Sequence, residues 1–155
     1  MFHRSLVLIA FAFACASEAP PRALPTADLT HVPVLDAAGK TTSLAALANG
    51  RVVVASLWAP WCEGCRQEEP ALLRLSHLAH ERGDFVLVSI AIDARAEDVA
   101  GPLAYPRVLD TGAFADIGHR RVPATLVIDA MGRTVFEGGA LDRAALEALT
   151  KAIAR

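Results

Sequence analysis

The stretch Val52-Val53-Val54-Ala55-Ser56-Leu57-Trp58, followed by Ala59-Pro60-Trp61-Cys62-Glu63-Gly64-Cys65-Arg66-Gln67-Glu68-Glu69-Pro70, decides the fold. A short β-branched run closed by turn residues reads as a buried strand. The residues after Cys62 have helix-forming composition, so the two cysteines sit where a strand hands over to a helix. The first turn of a helix leaves backbone N–H groups without partners, and the helix dipole adds partial positive charge there. A cysteine at that end has its thiolate stabilised and its pKa lowered, and one a turn further in can close a disulfide with it. The spacing therefore suits a reversible dithiol/disulfide couple. A structural disulfide or half a zinc site are the bland readings of the same pair. Zinc needs further ligands, and His31, His77, His80 and His119 show no second paired spacing.

Downstream, the helix is expected to run to about Arg82, with Leu72, Leu75, Leu78 and Ala79 inward and Arg74, His77, His80 and Glu81 outward. Pro70 predicts a kink within it, and Gly83 ends it. Phe85 to Ile92 is too uniformly apolar to have a solvent face, which points to a central strand of a largely parallel sheet. A short helix from Ala94 to Leu103, a brief extended piece at Arg107-Val108-Leu109, and a helix over Gly112 to Ile117 capped by Asp110-Thr111 follow. Val122-Pro123 leads into a strand ending at Asp129, Ala130 to Arg133 turns, and Thr134 to Glu137 returns. Gly138-Gly139 breaks that strand, and Leu141 to Ala154 closes the chain as a helix with Leu146, Leu149 and Ile153 inward. Upstream, His31 to Leu44 reads as two extended pieces around a turn, with one helical turn from Leu44 to Asn49. The order β-α-β-α-β-β-α makes an α/β fold with parallel and antiparallel strands.

A chain of 155 residues fits one domain, and a net charge of -2 without a basic block argues against nucleic acid as a partner. The N-terminus is a separate object. His3-Arg4 precedes an apolar run, Leu6 to Ala14, of signal-peptide length, so residues 1–16 read as an export leader. Cleavage after Ala14 gives a periplasmic protein; lipid modification of Cys15 gives a membrane-anchored lipoprotein. Residues 17–30, with Pro20, Pro21 and Pro25, read as a linker, and residues 31–155 as the domain. In an oxidising compartment such a dithiol needs an electron donor to stay reduced, so export implies a redox partner.

Trp58-Ala59-Pro60-Trp61-Cys62-Glu63-Gly64-Cys65 resembles the thioredoxin active-site signature, and Val122-Pro123 resembles that fold's cis-proline step. Leu35 to Leu44, Cys65-Arg66-Gln67-Glu68-Glu69-Pro70 and Leu126-Val127-Ile128-Asp129 with Gly132 are similar to the exported TlpA/ResA/CcmG-like branch. The resemblance implies a thioredoxin-like fold, a central mixed sheet flanked by helices with an N-terminal β-hairpin extension. It also implies a thiol–disulfide oxidoreductase without a bound cofactor or metal. Cys62 would attack a partner's disulfide and Cys65 would resolve the mixed intermediate. Pro123, if cis, would lie against the dithiol and leave the Val122 backbone free to pair with a substrate strand. Trp58 and Trp61 read as packing residues, with Trp61 also a candidate for the substrate rim.

Two departures from the pattern matter. Ser56 stands where thioredoxins have a buried Asp, which moves the proton-relay candidacy to Glu68. Glu63-Gly64 replaces the commoner residues between the cysteines. Glu63 should raise the Cys62 thiolate pKa, and Arg120 or Arg121 could oppose it. The branch implies protein disulfide or dithiol substrates such as apocytochrome c and a reductive direction. The redox partner that export requires reads as a membrane electron-donor thiol protein, and the chain, with no long coiled coil or extra domain to suggest assembly, as a monomer. The competing classes are a copper(I) carrier binding through the two thiolates, which no methionine cluster supports because Met131 is alone beyond the initiator, and an oxidative disulfide-forming protein.

Overall fold

The structure, a computed structural model, describes residues 29–101, 104–116 and 121–154. The leader, Cys15, the linker before Leu29, the expected helix ends at Leu103 and Ile117, His119 and Arg120 lie outside the described residues. After a single 3-10 turn at Leu29–His31 come β1 (Pro33–Leu35), β2 (Thr41–Ser43), α1 (Leu44–Ala48) and β3 (Val52–Trp58). Then follow α2 (Glu63–Arg82), β4 (Phe85–Ala91), α3 (Ala96–Val99) and β5 (Arg107–Asp110). The chain closes with α4 (Ala113–Asp116), β6 (Ala124–Ile128), β7 (Thr134–Gly138) and α5 (Arg143–Ile153). The strands form one mixed sheet in the order β2-β1-β5-β4-β3-β6-β7. β3, β4 and β5 run parallel, whereas β6 pairs antiparallel to β3, and β1 antiparallel to β5.

Alternation along the central strands divides the core into two layers. Val53, Ala55, Leu57, Val88 and Ile90 pack with Leu44 and Phe114 on the face carrying α1 and α4. Val52, Val54, Phe85, Leu87 and Val127 pack with Leu72, Leu75, Ala79, Leu149 and Ala152 on the face carrying α2 and α5. Both faces of β3 and β4 are covered, which is why these strands read as apolar runs interrupted only by Ser56 and Ser89.

The two hairpins share one turn chemistry. Asp36-Ala37-Ala38-Gly39-Lys40 and Asp129-Ala130-Met131-Gly132-Arg133 each begin with an aspartate whose Oδ1 accepts from the N–H groups two and four residues on. In both, the glycine N–H donates to the aspartate carbonyl, and Gly39 and Gly132 take φ of 78° and 83°, a region that suits glycine.

Some expectations need correction. Leu78 and Leu146 face solvent, at 42% exposure each, and not the core. At 100° per residue the buried stripe of α2 runs Cys65, Leu72, Ser76, Ala79, with Leu75 on its flank, and leaves Leu78 beyond its edge. Ser76 enters instead because its hydroxyl donates to the Leu73 carbonyl at 2.9 Å. In α5 the buried positions are Ala145, Leu149 and Ala152, and Leu146 lies off that line. α3 spans four residues and not the longer helix expected from Ala94. Pro70 lies inside α2 without interrupting it. No helix among the described residues is long and apolar enough to cross a membrane.

Candidate active site

β3 delivers Trp58 to the end of the sheet, where its carbonyl accepts from the Ile92 N–H at 2.8 Å. The chain then turns sharply, and the Cys62 N–H donates to the Ala59 carbonyl at 3.0 Å. Cys62 is the N-cap of α2, and its sulfur accepts from the backbone N–H of Cys65 at 3.1 Å. The helix end therefore points one of its otherwise unpartnered donors at this sulfur, as the spacing required. Cys62 and Cys65 form a disulfide with Cα atoms 5.3 Å apart. Both are nearly covered, in a small cluster with Ala59, Ile92, Trp58 and Val122.

The Val122–Pro123 peptide is cis. A Cβ placed on Gly64 would stand 3.6 Å from Pro123 Cδ, so the proline ring lies directly against the dipeptide between the cysteines. Trp61 projects beside them with 61% of its surface exposed. Glu63 pairs with Arg66 at 3.1 Å, both largely in solvent, so the cation offsets part of the charge that Glu63 presents to Cys62. Arg121 is exposed.

Glu68 and Glu69 leave α2 on opposite flanks of its buried stripe. Glu68 turns toward the start of α5, where its Oε1 accepts from the Leu141 N–H. Burial pushes its carboxyl above the usual range, and that hydrogen bond offsets part of the rise. Glu69 turns toward β5. Its Oε1 accepts from the Tyr105 hydroxyl at 3.0 Å and from Arg107 Nη2 at 2.8 Å. The Arg107 guanidinium lies 5.2 Å from the Trp58 ring centroid. Burial raises the Tyr105 phenol above its ordinary value, with Arg107 opposing and Glu69 adding to the rise.

Behind the disulfide lies a partly open cavity of about 280 Å³, lined by Ser56, Trp58, Cys65, Arg66, Glu69, Leu72, Ser89 and Arg107. Glu68 is absent from its wall; Cys65 and the neighbouring glutamate share it. Glu69, Tyr105 and Arg107 escaped the sequence reading. The available signal was the four-residue step from Cys65 to Glu69, which places both on one helix face. Nothing local identifies Arg107 as its counter-ion.

Residues 19–140 match the Redoxin family, a span that contains both cysteines and the cis-proline. The chain belongs to the Redoxin family. A relative, the thiol:disulfide interchange protein DsbE of Allochromatium vinosum, is 34% identical over 54% of this chain and 48% of its own length. The thioredoxin-like protein YneN of Bacillus subtilis is 29% identical over 55% of this chain and 54% of its own. The chain thus spans about half the length of the curated relatives it matches. Among solved structures, a thiol:disulfide interchange protein of the thioredoxin family from Chlorobium tepidum superposes with a TM-score of 0.62. It covers 79% of this Redoxin chain and 94% of its own, at 24% identity. The fold is thioredoxin-like.

Proposed function

We propose that this Redoxin-family protein is a thiol–disulfide oxidoreductase that exchanges the Cys62–Cys65 pair with protein partners, acting as a reductant on the exported side of the membrane. The observation that carries the reading is the disulfide itself: two cysteines joined at the N-terminus of α2, with a cis-proline packed on the residue between them. Reduced, Cys62 is the nucleophile, because a helix N–H already points at its sulfur. It attacks the partner's disulfide, forming a Cys62–partner bond and expelling a partner thiolate. Cys65 then attacks Cys62, closing the internal disulfide and releasing the second partner sulfur. The Val122 backbone beside Pro123 and the exposed Trp61 ring supply the surface on which an extended partner segment docks.

Export is supported by the leader reading of residues 1–16. It carries with it an electron donor at the membrane, and leaves cleavage or lipidation at Cys15 as the two processing routes. Glu63 and Gly64 tune the couple, and Glu68 is a carboxyl that burial disposes to hold a proton.

The test is disulfide reduction of insulin by the reduced chain, with Cys62→Ser expected to abolish it; unchanged reduction would sink the proposal. Direction is read from the reduction potential of the pair. A value near about -270 mV marks a reductant, and one near about -120 mV marks an oxidant.

A further inference from the structure

Across the sheet, directly below the dithiol, runs a polar row where a core row is expected. Thr125 of β6 pairs in register with Ser56 of β3, Ser56 with Ser89 of β4, and Ser89 with Arg107 of β5. Residues directly opposite one another share a face, so all four belong to the α2 side. Thr125, Ser56 and Ser89 are each at most 2% exposed. Three of the four line the cavity that Cys65 also lines. Two further donors on that wall, Trp58 Nε1 and Arg107 Nε, are buried without a protein acceptor. A space of about 280 Å³ whose largely apolar wall also carries hydroxyls, a carboxylate and unaccepted N–H groups has the size and the polar partners that ordered water requires. An apolar interior would have packed this volume more favourably, so the polarity needs a reason.

We propose that Glu69, held in place by Arg107 and Tyr105, takes the proton from the Cys65 thiol through solvent in this cavity during the resolving step. The inference rests on the thiol–disulfide reading above. In the mixed disulfide, Cys65 carries its proton and lies in the interior, where a thiolate is costly to form unaided. The proton passes by way of water to the Glu69 carboxylate. The Cys65 sulfur attacks Cys62, the Cys62–Cys65 bond forms, and the Cys62–partner bond breaks. The electron pair leaves on the partner sulfur, and the proton returns from Glu69 to solvent or to that departing thiolate. No oxidant or reductant beyond the dithiol is needed.

Among the described residues, the charged and titratable groups around the cavity that Glu69 and Cys65 share are few. α2 contributes Arg66 and the Cys62 sulfur, β5 contributes Arg107, and the segment before β5 contributes Tyr105. β3 and β4 contribute only the neutral Ser56, Trp58 and Ser89 to that wall. Arg107 and Tyr105 are positioning residues. They hold one carboxylate oxygen, Oε1, and aim the group; only this single oxygen carries their hydrogen bonds.

The experiment separates the two halves of the reaction. The reduced full chain is mixed with dithionitrobenzoate, an aromatic disulfide whose released thiolate is coloured, in a stopped-flow instrument. The first thiolate reports attack by Cys62, and the second reports resolution by Cys65. For Glu69→Gln the first phase is expected to keep its rate. The second should slow by roughly 100-fold at pH 7 and recover only at alkaline pH, above the ordinary thiol pKa of about 8.5, where the buried Cys65 ionises unaided. A second phase with the wild-type pH profile overturns the assignment, as does a slowing that persists unchanged at high pH, which marks a structural effect. A wild-type protein that releases no second thiolate overturns the thiol–disulfide reading instead, so the two failures are distinct. If Glu69→Gln does not fold, the carbon-13 titration of the Glu69 carboxyl in the wild-type chain decides. It should differ between the oxidised and reduced proteins, and an identical titration overturns the proposal.

Discussion

Glu68 and Glu69 are consecutive residues of the same chemistry, yet α2 sends them to different work. The Glu68 carboxyl is part-buried against the Leu141 N–H, and burial raises its pKa from 4.5. Folding therefore favours its protonated form. Its contribution to stability is present below the unfolded pKa and is lost as pH rises through the folded value. Glu68→Gln keeps an oxygen for Leu141 and removes the charge. The variant's thermal midpoint should rise relative to wild type at pH 7 by more than it does at pH 4. Equal shifts at the two pH values would mean that burial does not oppose this charge. Asp129 shows the opposite sign. Burial works to raise its pKa, but hydrogen bonds from the Arg133 side chain and from the Arg133 and Met131 N–H groups outweigh it, and the net shift is downward.

At the scale of elements, Asp129 organises the β6–β7 hairpin. Its side chain is 6% exposed, receives both Arg133 Nε and Nη2, and satisfies two turn N–H groups. Asp129→Ala should cost about 2–4 kcal/mol at pH 7 by urea denaturation, because the turn donors lose a charged acceptor. The wild-type contribution is present above the unfolded pKa and falls away as pH drops through the depressed folded value, so the difference shrinks in acid. A loss below about 0.5 kcal/mol would mean that the turn holds without this carboxylate. α5 offers a paired test of which face is inward. Leu149→Ala removes a side chain that is 5% exposed, and should cost about 2–5 kcal/mol, whereas Leu146→Ala, at 42% exposure, should stay within about 0.5 kcal/mol. Comparable losses would contradict the packing of α5 described above.

At the scale of the molecule, Arg107 ties the layers together. It reaches from β5 to Glu69 of α2 and lies over Trp58 of β3, linking helix and sheet within reach of the dithiol. Its side chain is 18% exposed and its partner's 38%, so the pair is neither fully screened nor fully desolvated. Arg107→Met should cost about 1–2 kcal/mol by chemical denaturation, and Arg107→Lys less, since lysine keeps the charge but not the planar fork. A Lys variant as unstable as the Met variant would place the value of Arg107 in its planar geometry and not in its charge.

Much of this protein is legible locally. The apolar runs at Val52–Trp58 and Phe85–Ala91, the cysteines at a strand-to-helix junction, the proline entering β6 and the Asp-Ala-x-Gly turns all announce themselves. Each depends on neighbours within a few residues, through β alternation, helix capping or the φ demanded of a turn glycine. Tertiary structure alone decided which glutamate faces Cys65, that Leu78 and Leu146 look outward, and that a polar row crosses the sheet under the active site. Those outcomes depend on how α2 and α5 are rotated against the sheet and on an arginine 38 residues beyond Glu69. A rotation of one residue, 100° on a helix, exchanges a solvent-facing side chain for a buried one, and no periodicity within the helix records where its partner strand will lie.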